Sequence, residues 1–151
     1  MLLLMCQVGS NRYAIDSCNV REVLPRVNLH RLSGDAPWLA GLLIHRGAAI
    51  PVLDLTQLTE RTACPNRLSC RILIVEADLS GTPRIVGLLV EQVGLSETQF
   101  APKDEAGEAA GSTALGRLCL DDQGIFQLID MSLLIPESRQ AVLFPATVKG
   151  R

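Results

Sequence analysis

Residues 50–58 and 126–134 repeat one another. Ile50-Pro51-Val52-Leu53-Asp54-Leu55-Thr56-Gln57-Leu58 and Phe126-Gln127-Leu128-Ile129-Asp130-Met131-Ser132-Leu133-Leu134 share one pattern: an apolar run ending in Asp, then an apolar residue, a hydroxyl, any residue and Leu. Each follows a glycine turn (Gly47, Gly124) and an apolar stretch that starts at a glycine (Gly41, Gly116). An Asp at the end of a strand, followed by apolar residues at i and i+3, is predicted to cap a short helix, which assigns Asp54 and Asp130 to capping. The two Asp residues stand 76 positions apart in a chain of 151. A weaker echo, Tyr13-Ala14-Ile15-Asp16 against Leu88-Leu89-Val90-Glu91, falls at a similar offset. Two related half-units predict two small barrels sharing an apolar interface. A chance match of short amphipathic strings is the competing explanation.

The remaining pattern is mainly β. Strands are predicted at Leu2–Val8, Tyr13–Ile15, Leu39–Ile44, Ala49–Leu53, Arg71–Glu76, Ile85–Val90, Leu115–Leu120 and Ile125–Ile129, from their β-branched content and boundaries. Gly9-Ser10-Asn11, Asp78 to Pro83 and Asp121 to Gly124 carry turn residues and read as hairpin connections. Helical signals are brief. Val20, Val23 and Leu24 at i, i+3 and i+4 predict one apolar helical face stopped by Pro25. Ser96–Ala114 is polar and small and reads as a long surface loop. Residues 1–140 are taken as a single domain of two intertwined barrel subdomains. Residues 141–151 are a tail, either frayed or a final strand returning to the first barrel through Leu143 and Phe144.

Small barrels need aliphatic filling more than aromatic bulk, and the chain is 48% hydrophobic with only 3% aromatic residues. That hydrophobicity, with a formal charge of −2, excludes disorder. It also disfavours a nucleic-acid binder, which needs clustered cations and stacking rings. Met1-Leu2-Leu3-Leu4-Met5-Cys6 lacks the basic flank, length and small residues of a secretory or lipoprotein signal. No apolar run approaches the ~20 residues of a membrane span. The chain is therefore expected to be cytosolic, without membrane insertion.

Catalytic groups are sparse. The five cysteines (Cys6, Cys18, Cys64, Cys70, Cys119) are irregularly spaced, Cys64 and Cys70 being the one close pair, and the only histidines are His30 and His45. That set suits neither a zinc knuckle nor any other structural metal, and thiols kept reduced are expected. Phosphate-binding glycine loops are missing, so no cofactor is expected. Two other classes stay open: a small-barrel ligand or nucleic-acid binding module, and a thiol enzyme pairing Cys18, Cys70 or Cys119 with His45.

The order of segments resembles the CheW-like domain of bacterial chemosensory coupling proteins from about Leu3 to Pro136. The resemblance is carried by Tyr13-Ala14-Ile15, Val20-Arg21-Glu22-Val23, Trp38-Leu39-Ala40-Gly41-Leu42-Leu43-Ile44-His45-Arg46-Gly47, Ile50 to Leu55, Val86 to Val93 and Leu128-Ile129-Asp130. It implies two SH3-like five-stranded β-barrels around a shared seam, with short helices. It also implies a non-enzymatic adaptor between the cytoplasmic tip of a chemoreceptor and the regulatory domain of a CheA-type histidine kinase, recruited to membrane receptor arrays. Contact residues implied in this way are Val20, Glu22, Val23, Gly41, His45, Arg46 and Gly47, with strand edges of the first barrel meeting the kinase and leaving self-association open. The chain departs from the family pattern at Ile44-His45, where Asn-Leu is usual, and at Glu91, where Asp is usual. Leu29-His30-Arg31-Leu32 replaces a proline-flanked run. These departures suggest a divergent paralogue in which His45 has shifted partner choice.

Overall fold

Chain reversals fall where turn residues cluster. The structure is a computed structural model that describes residues 2–32, 34, 36–97 and 115–144. Among these the strands are β1 (Leu2–Val8), β2 (Asn11–Asp16), β3 (Val20–Pro25), β4 (Leu39–His45), β5 (Ala48–Asp54), β6 (Arg71–Leu79), β7 (Thr82–Val90), β8 (Gln92–Glu97), β9 (Gly116–Asp121) and β10 (Gly124–Ile129). The helices are α1 (Leu55–Glu60), α2 (Met131–Leu134) and α3 (Glu137–Leu143). The hairpins β4–β5 and β6–β7 turn on two residues each, Arg46-Gly47 and Ser80-Gly81, with positive φ at all four. That is the type I′ geometry, whose twist matches the flanking strands.

Two five-stranded sheets result, β8-β1-β2-β10-β9 and β3-β6-β7-β5-β4. Replacing β1, β2, β3, β4 and β5 by β6, β7, β8, β9 and β10, and the reverse, converts one order into the other. Each half supplies two strands to one sheet and three to the other, so the barrels are intertwined by exchange. The parallel contacts correspond as well: β5 with β7, and β10 with β2.

The exchange requires a common core. Leu4, Cys6, Val8, Tyr13 and Ile15 from one sheet meet Leu73, Val75, Ala77, Leu79, Val86, Leu88 and Val90 from the other, with Leu55, Met131 and Leu134 from the short helices. Ile72 and Ile74 point the opposite way, into the second barrel's own core. Strand β6 is thus buried on both faces, which explains its unbroken apolar run. Leu3, Ala14, Cys119 and Phe126 fill the other barrel.

Asp54 and Asp130 cap α1 and α2. Asp54 Oδ1 accepts from Gln57 N (3.1 Å) and its Oδ2 from the buried Cys64 N (2.9 Å). Asp130 Oδ1 accepts from Ser132 N (2.9 Å) and Ser132 Oγ (2.6 Å), both exposed. Asp54→Ala therefore removes a cap and orphans a buried amide, and should cost about 2–3 kcal/mol in urea unfolding against about 1 kcal/mol for Asp130→Ala. Equal losses would contradict this account. Glu91, 7% exposed, joins the β1–β2 turn to α1 by accepting from Gly9 N (3.2 Å) and Thr56 Oγ1 (3.0 Å).

Arg12 on β2 reaches across β10 to grip Asp121 with both guanidinium ends (3.0 and 2.5 Å). The Arg12 hydrogen bond, followed by the backbone amide of Gln123, holds the Asp121 carboxyl below its usual range. A depressed carboxylate contributes stability above its unfolded value of about 3.9, and this is lost as pH falls through the folded value. Asp121→Asn should cost about 1–2 kcal/mol at neutral pH. The gap between wild type and variant should narrow as pH falls below about 3.9, because the wild-type carboxylate takes up its proton while Asn does not titrate. A gap that stays constant throughout acid titration would refute it.

Three expectations change. Val20–Leu24 is strand β3, not a helical turn: its burial alternates residue by residue, with Val20, Glu22 and Leu24 half-buried and Arg21 and Val23 exposed. Ser96 and Glu97 belong to β8 and not to a loop, while the rest of the expected loop, 98–114, lies outside the described residues. Ala141 to Leu143 form the last turn of α3, so that the expected tail begins inside a helix and no returning strand starts there. Leu143 and Phe144 pack on the shared core, with the Arg84 guanidinium 4.5 Å from the Phe144 ring centre and that of Arg139 5.4 Å from Trp38. Residues 145–151 lie outside the described residues.

Candidate functional site

Strands β3 and β4 are the two edges of the second sheet. Curling of that sheet brings them together. His30, shortly beyond β3, exchanges backbone hydrogen bonds with Leu42 on β4 (2.9 and 2.8 Å). Near the same junction Glu22 of β3 meets the β4–β5 turn. Its Oε1 lies 3.0 Å from His45 Nε2, and its Oε2 accepts from Arg46 Nη2 at 3.4 Å. One carboxylate therefore holds two adjacent cationic or hydrogen-bonding groups, one per oxygen. This explains a half-buried Glu on an edge strand.

Arg46 is the outermost member, with 77% of its side chain exposed. It sits at φ +52°, a left-handed conformation uncommon for a residue with a Cβ. The type I′ turn requires that geometry and lifts the guanidinium clear of the barrel. A planar, permanently charged fork presented this way is suited to carboxylates or helix-end carbonyls of another protein. Ile44, 58% exposed, precedes the turn and lines a shallow groove of about 420 Å³ with Leu24, Pro25, Val27 and Leu43, with His30 and His45 at its wall. Ile44, Pro25 and Val27 are not among the contact residues expected from sequence, although Ile44 belongs to the Ile44-His45 departure from the family pattern. The available signal was an apolar residue at an outward position beside a turn.

Glu22, His45 and Arg46 come together with the exposed Gly47, whose φ of +81° completes the turn. Val23 is exposed, but it points away from the face that carries Glu22. Val20 packs against the shared core, so the expected stripe of Val20, Val23 and Leu24 does not form. Gly41 is buried, and a Cβ there would lie 2.6 Å from the His30 carbonyl oxygen. It acts by letting residues 29–30 close on β4.

Cys18 is exposed, whereas Cys6, Cys64, Cys70 and Cys119 are buried, and burial pushes the Cys6 thiol up to about 12. His45 directs Nε2 at Glu22. Among the described residues, no three His, Cys, Asp or Glu side chains are placed to hold a metal ion, and no helix is long and apolar enough to cross a membrane.

No curated protein matches the chain. Among solved structures it is similar to the scaffolding protein TtCheW from Thermoanaerobacter tengcongensis. The TM-score is 0.75 and the identity 20%, over 89% of this chain and 92% of that one. At that identity the likeness concerns the fold, including both barrels. A family model described as the CheW-like domain matches residues 2–139, and the chain belongs to that family.

Proposed function

We propose that this protein is a non-enzymatic signalling adaptor that couples the cytoplasmic tip of a chemoreceptor to the regulatory domain of a CheA-type histidine kinase. Membership of the CheW-like family over residues 2–139 carries the reading. The cluster of Glu22, His45 and Arg46, beside the exposed Ile44 and its groove, supplies the physical means: a charged fork next to apolar surface. Aromatic and Arg anchors ringed by contacts that exclude water dominate such interfaces, and Arg46 is an exposed Arg at this one. His45 occupies the oxygen of Glu22 that Arg46 does not, so the pair biases the turn toward one partner surface. The protein acts in the cytoplasm and joins membrane receptor arrays through its partners.

Calorimetry of the full chain with a receptor tip hairpin, and separately with a kinase regulatory domain, tests the proposal. Binding should register below roughly 100 μM, about 5.5 kcal/mol of association free energy. No heat from either partner at that level overturns it. Salt-dependent retention of nucleic acid instead would favour the small-barrel binding module.

A further inference from the structure

Cys64 lies within the segment between α1 and β6 and Cys70 at its end, with their sulfurs 3.6 Å apart. Both are free thiols, and both reach the Pro65 carbonyl oxygen, at 3.6 Å from Cys64 and 3.1 Å from Cys70. Arg26, just beyond β3, fixes the base of the loop by donating to the same Pro65 oxygen (2.8 Å), and its Nη1 lies 4.0 Å from the Cys70 sulfur. The tip projects outward, with Leu68 98% exposed. Cys64, unlike Cys70, lines an open groove of about 1010 Å³.

We propose that Cys64 and Cys70 form a modification site, oxidised by a hydroperoxide to a disulfide that closes the 64–70 loop. The sulfurs are already in van der Waals contact, about 1.5 Å beyond the bonding distance of about 2.05 Å. The groove admits a small oxidant to Cys64, which makes Cys64 the first sulfur to react. Its thiolate attacks one peroxide oxygen; the S–O bond forms as the O–O bond breaks. The departing hydroxide or alkoxide takes up the thiol proton, leaving a sulfenic acid. Cys70, beside the Arg26 guanidinium, attacks that sulfur. The S–S bond forms, the S–O bond breaks, and the hydroxyl leaves as water with the second proton. Two thiols and one hydroperoxide thus give one disulfide, one water and one further water or alcohol. Burial, and then contact with Cys70, push the Cys64 thiol up to about 12, so the reaction is slow beside that of an activated cysteine.

Hydrogen peroxide treatment of the intact chain, acid quenching, alkylation under denaturing conditions and tryptic digestion without reduction provide the test. Trypsin cleaves after Arg61, Arg67 and Arg71, so the disulfide joins residues 62–67 to residues 68–71. The joined species should be lighter than its two peptides by two hydrogen atoms, and dithiothreitol should separate it. Exposed Cys18 serves as the marker that oxidant was delivered. Cys70→Ser should leave a sulfenic acid on Cys64 that a dione reagent traps. Recovery of both thiols alkylated after Cys18 has been oxidised overturns the proposal. So does oxidation of either thiol without the joined peptides.

Discussion

Gly116→Ala should remove a large share of the stability of this protein. Gly116 opens β9 at φ +152°, and a Cβ built there would lie 1.9 Å from the Leu128 carbonyl oxygen and 3.0 Å from Asp130 N. Both neighbours are backbone, so no side chain can swing aside. Relief requires β9 to move away from the end of β10, where Asp130 N donates to Leu115 O at 2.8 Å. Asp130 caps α2, and α2 places Met131 and Leu134 in the core shared by both barrels. The clash therefore reaches the seam. Unfavourable φ and overpacking cost about 1–3 kcal/mol each, giving a loss of about 2–6 kcal/mol from a total that is typically 5–15 kcal/mol. Gly41→Ala is the internal comparison. Its Cβ would meet the His30 oxygen at 2.6 Å, a less severe approach, and relief there strains the isolated His30–Leu42 bridge and not a strand end at the seam. Chemical denaturation should rank Gly116→Ala well below Gly41→Ala, with wild type highest. A Gly116→Ala midpoint near that of wild type would show that β9 does not sit against β10 in this way.

The repeat was legible because it falls on elements whose chemistry is local. An Asp accepting amide hydrogen bonds at a helix start, and a glycine at a close backbone approach, each leave a residue-type mark. Asp54 with Asp130, and Gly41 with Gly116, carry that mark at nearly equal offsets. Strands β3 and β8 left none. Each is a sheet edge bonded to one neighbour, so most of its specification lies in backbone pairing. In β3 burial alternates, but the apolar residues do not follow it: Val23 is exposed, and Val20, Val23 and Leu24 coincide with helical spacing. In β8 Gly94 interrupts the pattern between Val93 and Leu95. The site divided along the same line. Arg46 and His45 were visible as turn residues next to a glycine, but their union with Glu22 depends on the curl that brings β3 against β4. The contact joins residues from opposite edges of one sheet, and no local pattern encodes it.

Arg46→Glu should abolish most partner binding while leaving the fold intact. In the free protein the pair with Glu22 is a surface contact at 3.4 Å with the Arg side chain 77% exposed, a geometry worth about 0–1 kcal/mol. The left-handed turn position disfavours Arg and Glu alike, and His45 still holds the other Glu22 oxygen, so the unfolding midpoint should barely move. A partner carboxylate buried against Arg46 would instead face two carboxylates. Such a reversal costs about 2–5 kcal/mol, or about 30- to 5,000-fold in affinity. Arg46→Lys keeps the charge but loses the fork and should fall between wild type and Arg46→Glu. The double variant Glu22→Arg/Arg46→Glu separates two roles for the same residue. If Arg46 touches the partner, restoring an ion pair within the chain leaves binding lost. If Arg46 only steadies the turn through its pair with Glu22, the swapped pair recovers part of the affinity, short of wild type because the His45 contact with Glu22 is lost. Calorimetry against receptor tip and kinase regulatory domain, run beside urea unfolding of each variant, reads both quantities. Unchanged affinity for both partners in folded Arg46→Glu protein would remove Arg46 from the interaction surface and leave Ile44 and its groove to carry it.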